Sequence, residues 1–286
     1  MRPCTGFFLA IWLFLGCGWA GAQPPRPPQD PAGLSSQLSP EDILNLHCLR
    51  QAYPGAIGEL RQGQGGSLML EVRGTDVPYQ AEAAAPAWQV DIRQSMASAY
   101  PLEPGRPPTP PGRAPGRERC LALLGALYGQ ERGQVEAGLR RADFLGQTVT
   151  MRGEAAGPLE AVAASLASRR ALLGKWLRSD GGYMWRRIAG EQRLSPHAFG
   201  IAIDLSASRA PYWRWSAQRP HPLQRDYPGE IVEAFESQGF IWGGKWHEYD
   251  IMHFEYRPEL ICKARLLESG ESGIREAGAG DSEPGP

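Results

Sequence analysis

The sequence has 286 residues, 42% of them hydrophobic and 9% aromatic, with 30 basic against 31 acidic side chains. That length permits one large domain or two small ones around a sizeable core, and the near-neutral balance argues against a nucleic-acid partner or generic adhesion to an anionic surface. The 26 prolines and 35 glycines imply many loops and favour an irregular α+β fold over a helical bundle.

Residues 1–22 read as a secretory signal peptide: Arg2 supplies the positive start, Phe7 to Leu15 is an unbroken apolar run, and Ala20-Gly21-Ala22 offers a small-residue cleavage site. The run is too short for a bilayer span of about 20 residues, and glycines at 16, 18 and 21 interrupt it. No stable membrane span is therefore expected after cleavage. Leu15-Gly16-Cys17 also loosely resembles a bacterial lipobox, which makes a lipid anchor at Cys17 the alternative. Either way the chain is expected to be exported, to the periplasm or cell envelope. Cleavage after Ala22 leaves Cys48, Cys120 and Cys262, so at most one internal bridge can form, and its pairing stays open. No two cysteines have zinc-finger spacing, so a metal site would have to use histidines and carboxylates.

Residues 23–40, rich in Pro, Gln and Ser, read as an extended linker. Order is expected from Ser39, an N-cap followed by Pro40, Glu41 and Asp42 and then by apolar Ile43, Leu44 and Leu46. Ser67 to Val72 reads as a strand, and residues 101–116 form a second proline-rich tract, either an interdomain linker or a loop inside one domain. Residues 118–141 show helical spacing that predicts two helices, continued through Leu139 and Leu145, and 158–177 predict another with Pro158 in its first turn. Beyond the turn signal Ser179-Asp180-Gly181-Gly182, short strands are expected at 200–205 and 240–242, with a helix at 230–238 between them. The stretch 41–117 is thus an N-terminal helical and loop region, 118–262 the main domain, and 263–286 a disordered tail.

Four of the five histidines, 197, 221, 247 and 253, fall in the final third beside Asp204, Asp226, Glu248, Asp250 and Glu255, a clustering that signals a metal site. In Ser195-Pro196-His197-Ala198-Phe199-Gly200-Ile201-Ala202-Ile203-Asp204, a histidine in a loop leads into an apolar strand ending in a carboxylate. Burying Asp204 there is costly unless it meets a cation or hydrogen-bond donors. In Trp242 to Tyr256, a glycine turn precedes a strand whose alternation puts His253 and Glu255 on one face. Asp250 faces away in a regular strand, so it can join His253 only from the approach to the strand or from a bulge.

Ser-x-His-x-x-Gly-x-Ala-x-Asp followed by Asp-x-x-His-Phe resembles the VanY-type zinc D-alanyl-D-alanine carboxypeptidases and the related L-alanyl-D-glutamate endopeptidases, over about residues 180–260. The resemblance implies a small antiparallel sheet carrying a Zn2+ site, flanked by helices, and it favours the proline-rich tract as an internal loop. It implies zinc held by His197, Asp204 and His253 with a water in the fourth position. Asp250 takes the position of the acid that moves the water's proton, with Glu248 as its competitor. Arg186 is assigned to stabilise the oxyanion, with Arg187 and Arg193 as neighbours. Ser195 would orient substrate or the metal loop, Trp185, Trp242 and Trp246 would wall the cleft, and His247 would reach the carbonyl. The implied activity is D,D-carboxypeptidase hydrolysis of peptidoglycan stem peptides through a zinc-activated water. The alternatives are L-alanyl-D-glutamate endopeptidase action on the same substrate and a zinc-containing module that binds cell wall without cutting it. Residues 206–227 would then decide bond choice. Oligomeric state is not addressed by any of these features.

Overall fold

Ser39 opens α1 (Pro40–Ala52) as its side chain demands: its Oγ accepts from the Asp42 amide while the Asp42 carboxylate accepts from the Ser39 amide, a reciprocal capping box. The computed structural model describes residues 38–82, 89–102, 109–111 and 114–270. The expected signal peptide, Cys17 and nearly all of the 23–40 linker lie outside the described residues, as does the core of the 101–116 tract. No helix among the described residues is long and apolar enough to cross a membrane.

A three-stranded antiparallel meander follows, β1 (Ile57–Gln62), β2 (Leu68–Val72) and β3 (Thr75–Gln80). Arg73 and Gly74, both at positive φ, form the two-residue turn between β2 and β3, the geometry that suits the twist of a tight hairpin. Three short helices come next, α2 (Ile92–Met96), α3 (Leu121–Tyr128) and α4 (Arg132–Glu136).

The helix expected to run on to Arg141 stops at Glu136. Residues 139–152 form a hairpin instead, β4 (Leu139–Phe144) with β5 (Gln147–Arg152), turned at Leu145 and Gly146. Buried Ala142 and Phe144 alternate with exposed Arg141 and Asp143, a period of two that the preceding helical spacing masks. Helix α5 (Gly153–Leu166) likewise begins five residues before Pro158, which sits inside it, because Ala155 and Ala156 already pack into the core ahead of the proline. A four-residue helix, α6 (Arg170–Leu173), and strand β6 (Ser179–Gly181) complete this stretch.

The last sheet has the order β6-β7-β9-β8, with every pairing antiparallel, where β7 is Ala202–Leu205, β8 Phe240–Trp242 and β9 His253–Tyr256. Helices α7 (Leu223–Asp226) and α8 (Gly229–Ser237) lie between β7 and β8. Phe254 of β9 stacks on Phe235 of α8 with ring centres 4.1 Å apart, in a core that also takes in Ile203, Leu205 and Phe240. The protein is therefore α+β with small antiparallel sheets, as the sequence predicts.

Helix α9 (Pro258–Glu268) closes the described chain. The tail expected from residue 263 is corrected in its first six residues, which are helical because Leu260, Ile261 and Ala264 pack inward; residues 271–286 lie outside the described residues. Helix α9 packs on α1, and Cys48 and Cys262 join them by a disulfide. Cys120 is left as a buried free thiol, pushed up to about 11 by burial.

Candidate metal centre

Two neighbouring strands and one tight turn bring the centre together. Asp204 of β7 and His253 of β9 are directly paired across the sheet. His197 reaches them from a single 3-10 turn, Pro196–Phe199, whose N-cap is Ser195; its Oγ accepts from the His197 amide at 3.4 Å. Gly200 ends that turn in the left-handed conformation at φ 70°, and a Cβ there would meet the Arg152 amide nitrogen at 2.8 Å. Only glycine serves both demands.

The hydrogen bonds fix which ring nitrogens face inward. His197 Nδ1 lies 2.7 Å from the Gly182 carbonyl, an acceptor only, so Nδ1 donates and Nε2 points to Asp204 Oδ1 at 3.2 Å. His253 Nε2 lies 3.4 Å from Glu255 Oε2 and its Nδ1 lies 3.1 Å from Asp204 Oδ1. One ligand atom from each of His197, Asp204 and His253 falls within 4.8 Å of the others. Two imidazoles and a carboxylate at this spacing fit a divalent ion of the zinc type. Burial raises the Asp204 carboxyl, but the two histidines outweigh it and hold the group well below the usual carboxylate range. Burial lowers His253, yet its bonds to Asp204 and Glu255 push it up to about 9.

Asp250 meets the geometric demand made of it. It precedes β9, where its backbone pairs with Tyr212 and its amide donates to the Gly243 carbonyl at 2.9 Å. A Cβ on Gly243 would meet the Asp250 carbonyl oxygen at 2.6 Å, so the glycine turn lets this residue sit close. Its Oδ1 is buried with no hydrogen-bond partner among the described residues. Burial pushes Asp250 up to about 6, near the range in which a carboxylate exchanges protons at neutral pH.

His197, Asp204, Asp250 and His253 line one cleft of about 110 Å3, together with Ser195 and Trp246. Arg186 and Arg193 line it too; Arg193 is paired with Glu191, whereas the exposed Arg186 has no ion-pair partner among the described residues. Several expectations are corrected. Trp242 is core, 3% exposed, with its indole N–H donating to the Ile251 carbonyl at 2.8 Å. Trp185, Arg187, His247 and Glu248 do not line the cleft. The Trp242 ring instead belongs to the core, stacked on Phe254 with ring centres 6.4 Å apart.

The structure adds residues that the sequence reading passed over. Arg117 and Arg119 line the cleft from the end of the proline-rich tract, and Tyr212 and Trp215 from the loop after β7. Trp215 is 72% exposed. Arg117 donates to the Glu248 carbonyl at 2.6 Å and lies over the Trp213 ring. No local pattern marks the two arginines, since they reach the site from about eighty positions before His197 in the sequence.

Residues 189–256, about a quarter of the chain, match a family model described as D-alanyl-D-alanine carboxypeptidase. This part of the chain is similar to a peptidase family. The matched stretch contains His197, Asp204, Asp250 and His253 but neither Arg186 nor Arg117 and Arg119. No curated protein and no solved structure matches the chain.

Proposed function

We propose that the protein is a zinc-dependent D-alanyl-D-alanine carboxypeptidase that trims peptidoglycan stem peptides in the cell envelope. The observation that carries this reading is the convergence of His197 Nε2, Asp204 Oδ1 and His253 Nδ1 in one cleft with Asp250, whose buried Oδ1 has no hydrogen-bond partner among the described residues. Zinc in such a site supplies Lewis acidity toward the scissile carbonyl and the attacking water. Asp250 takes a proton from that water and returns it to the leaving amine, a task suited to a carboxyl lifted toward neutral pH by burial. Arg186 lines the cleft with no ion-pair partner among the described residues, and a free guanidinium there suits stabilisation of an oxyanion or a substrate carboxylate. A cleft edged by arginines suits an anionic peptide end, which favours release of a terminal residue over internal cleavage. The signal-like segment at 1–22 supports export to the compartment where peptidoglycan lies.

Digestion of defined muropeptides with and without a chelator, read by product mass, tests the proposal. Chelator-sensitive release of terminal D-alanine is expected. Cleavage between L-alanine and D-glutamate would reassign the bond, zinc binding without any cut would make the protein a binding module, and chelator-resistant activity would overturn the metal mechanism.

A further inference from the structure

Glu255 is completely buried two residues beyond His253, and three side chains converge on its carboxylate. Arg119 spans it, with Nε 2.9 Å from both oxygens and Nη2 2.5 Å from Oε2. Arg257 Nη1 lies 3.4 Å from Oε1, and His253 Nε2 lies 3.4 Å from Oε2. Arg119 is itself 5% exposed and fixed on a third side by its Nη1, which donates to the Arg117 carbonyl at 3.0 Å. Its guanidinium lies over Trp246, whose ring is in turn 5.9 Å from the His253 imidazole. Trp246 is tied to the same upstream segment by its indole N–H, which donates to the Pro115 carbonyl at 2.6 Å.

An imidazole that binds a metal through one nitrogen needs a partner for the other, and that partner decides which tautomer is present. His197 obtains this from the Gly182 carbonyl. For His253 the group in place is Glu255, an acceptor that Arg119 and Arg257 hold in position. We propose that Glu255, clamped by Arg119, is a positioning residue for His253: it holds the proton on Nε2 and so presents Nδ1 to the metal. Segment 114–119 is then a structural part of the metal centre, although it lies outside the stretch that matches the peptidase family. The inference rests on the zinc reading proposed above.

Titration of the purified protein with Zn2+ against a chromophoric chelator tests it, with far-UV circular dichroism to establish folding. Glu255→Gln keeps the shape but loses the charge, and Arg119→Lys keeps a cation but loses the fork. Each is expected to weaken Zn2+ binding by about 10–100-fold in protein that remains folded. Tyr53→Phe removes the hydroxyl that donates to Glu259 at 2.7 Å at the far end of the same charge network, and should leave Zn2+ affinity within about twofold, since it touches no ligand-orienting bond. Folded Glu255 and Arg119 variants that bind like wild type would overturn the inference, and so would a Tyr53→Phe loss as large as theirs. Should the variants not fold, the wild type decides. Nitrogen NMR of its zinc-loaded His253 ring should show a protonated Nε2 and a ligated Nδ1, and a ligated Nε2 would overturn the inference. Wild-type protein that takes up no Zn2+ fails the zinc reading itself, which separates the two outcomes.

Discussion

Asp204 and His253 stand opposite each other on adjacent antiparallel strands, with Oδ1 of one 3.1 Å from Nδ1 of the other. Backbone pairing sets this separation, so on the proposed zinc reading the two side chains are held in place ahead of the ion. His253→Ala should therefore lower Zn2+ affinity by more than about a hundredfold, beyond the usual effect of losing an outer partner. Metal content after dialysis, with circular dichroism as the folding control, checks this.

On the proposed reading Asp250 differs from the ligands in role, and its variants should differ in phenotype. Asp250→Asn removes the proton acceptor and leaves His197, Asp204 and His253 intact, so kcat should fall by about 10²–10⁴ while zinc is retained. Steady-state hydrolysis beside metal analysis decides it; an active Asp250→Asn enzyme would move the base elsewhere.

Arg186 is exposed and has no ion-pair partner among the described residues, so its removal should cost little stability. Arg186→Ala is expected to lower kcat/KM by about 10²-fold with an unchanged melting temperature, the scale of losing one group that stabilises an oxyanion. Arg117→Ala is the comparison: a larger loss there would transfer the role to the upstream segment.

Asp42 links α1 to α2 through Arg93, which donates to both of its oxygens, and to β3 through Tyr79, whose hydroxyl donates to Oδ1 at 2.8 Å. Burial raises its carboxyl, but Arg93, Ser39 and Tyr79 outweigh that and hold it well below the ordinary value. A depressed folded value means the stabilisation is complete above the unfolded value of about 3.9 and is lost as pH falls through the folded value. Asp42→Asn should cost about 2 kcal/mol at pH 7, and its deficit against wild type should shrink below about pH 4. Urea unfolding of both proteins across that range reads the effect.

The Cys48–Cys262 bridge closes a loop of 214 sequence positions between α1 and α9. Paired replacement of both cysteines by Ala should lower unfolding stability by about 2–5 kcal/mol while zinc binding persists in folded protein, because neither sulfur approaches the metal centre. Thermal unfolding and metal titration of the variant measure the two effects separately.

Wherever the controlling interactions are local, the amino-acid order was enough. The N-cap at Ser39, the strand expected at 200–205 and the helix expected at 230–238 follow from neighbours within a few residues, whereas the 3-10 turn that carries His197 reads only as a loop. The grouping of His197, Asp204 and His253 comes from the resemblance carried by two compact signatures, and the fold brings one ligand atom of each within 4.8 Å of the others. Alternation also put His253 and Glu255 on one face. Local pattern failed at 139–145, where a helical spacing ran into a hairpin, and at Trp242, whose apolar ring reads alike for core and cleft.

What tertiary structure alone decided are relations between residues far apart in the chain. The choice of Cys48 with Cys262, the arrival of Arg117 and Arg119 at the cleft, and the clamp of Arg119 on Glu255 across 136 positions have no local signature. The bridge depends on the packing of α9 against α1, and the clamp arises because burying an ionised carboxylate requires a matching cation at hydrogen-bond distance; only the packed chain shows which cysteine and which arginine meet these requirements.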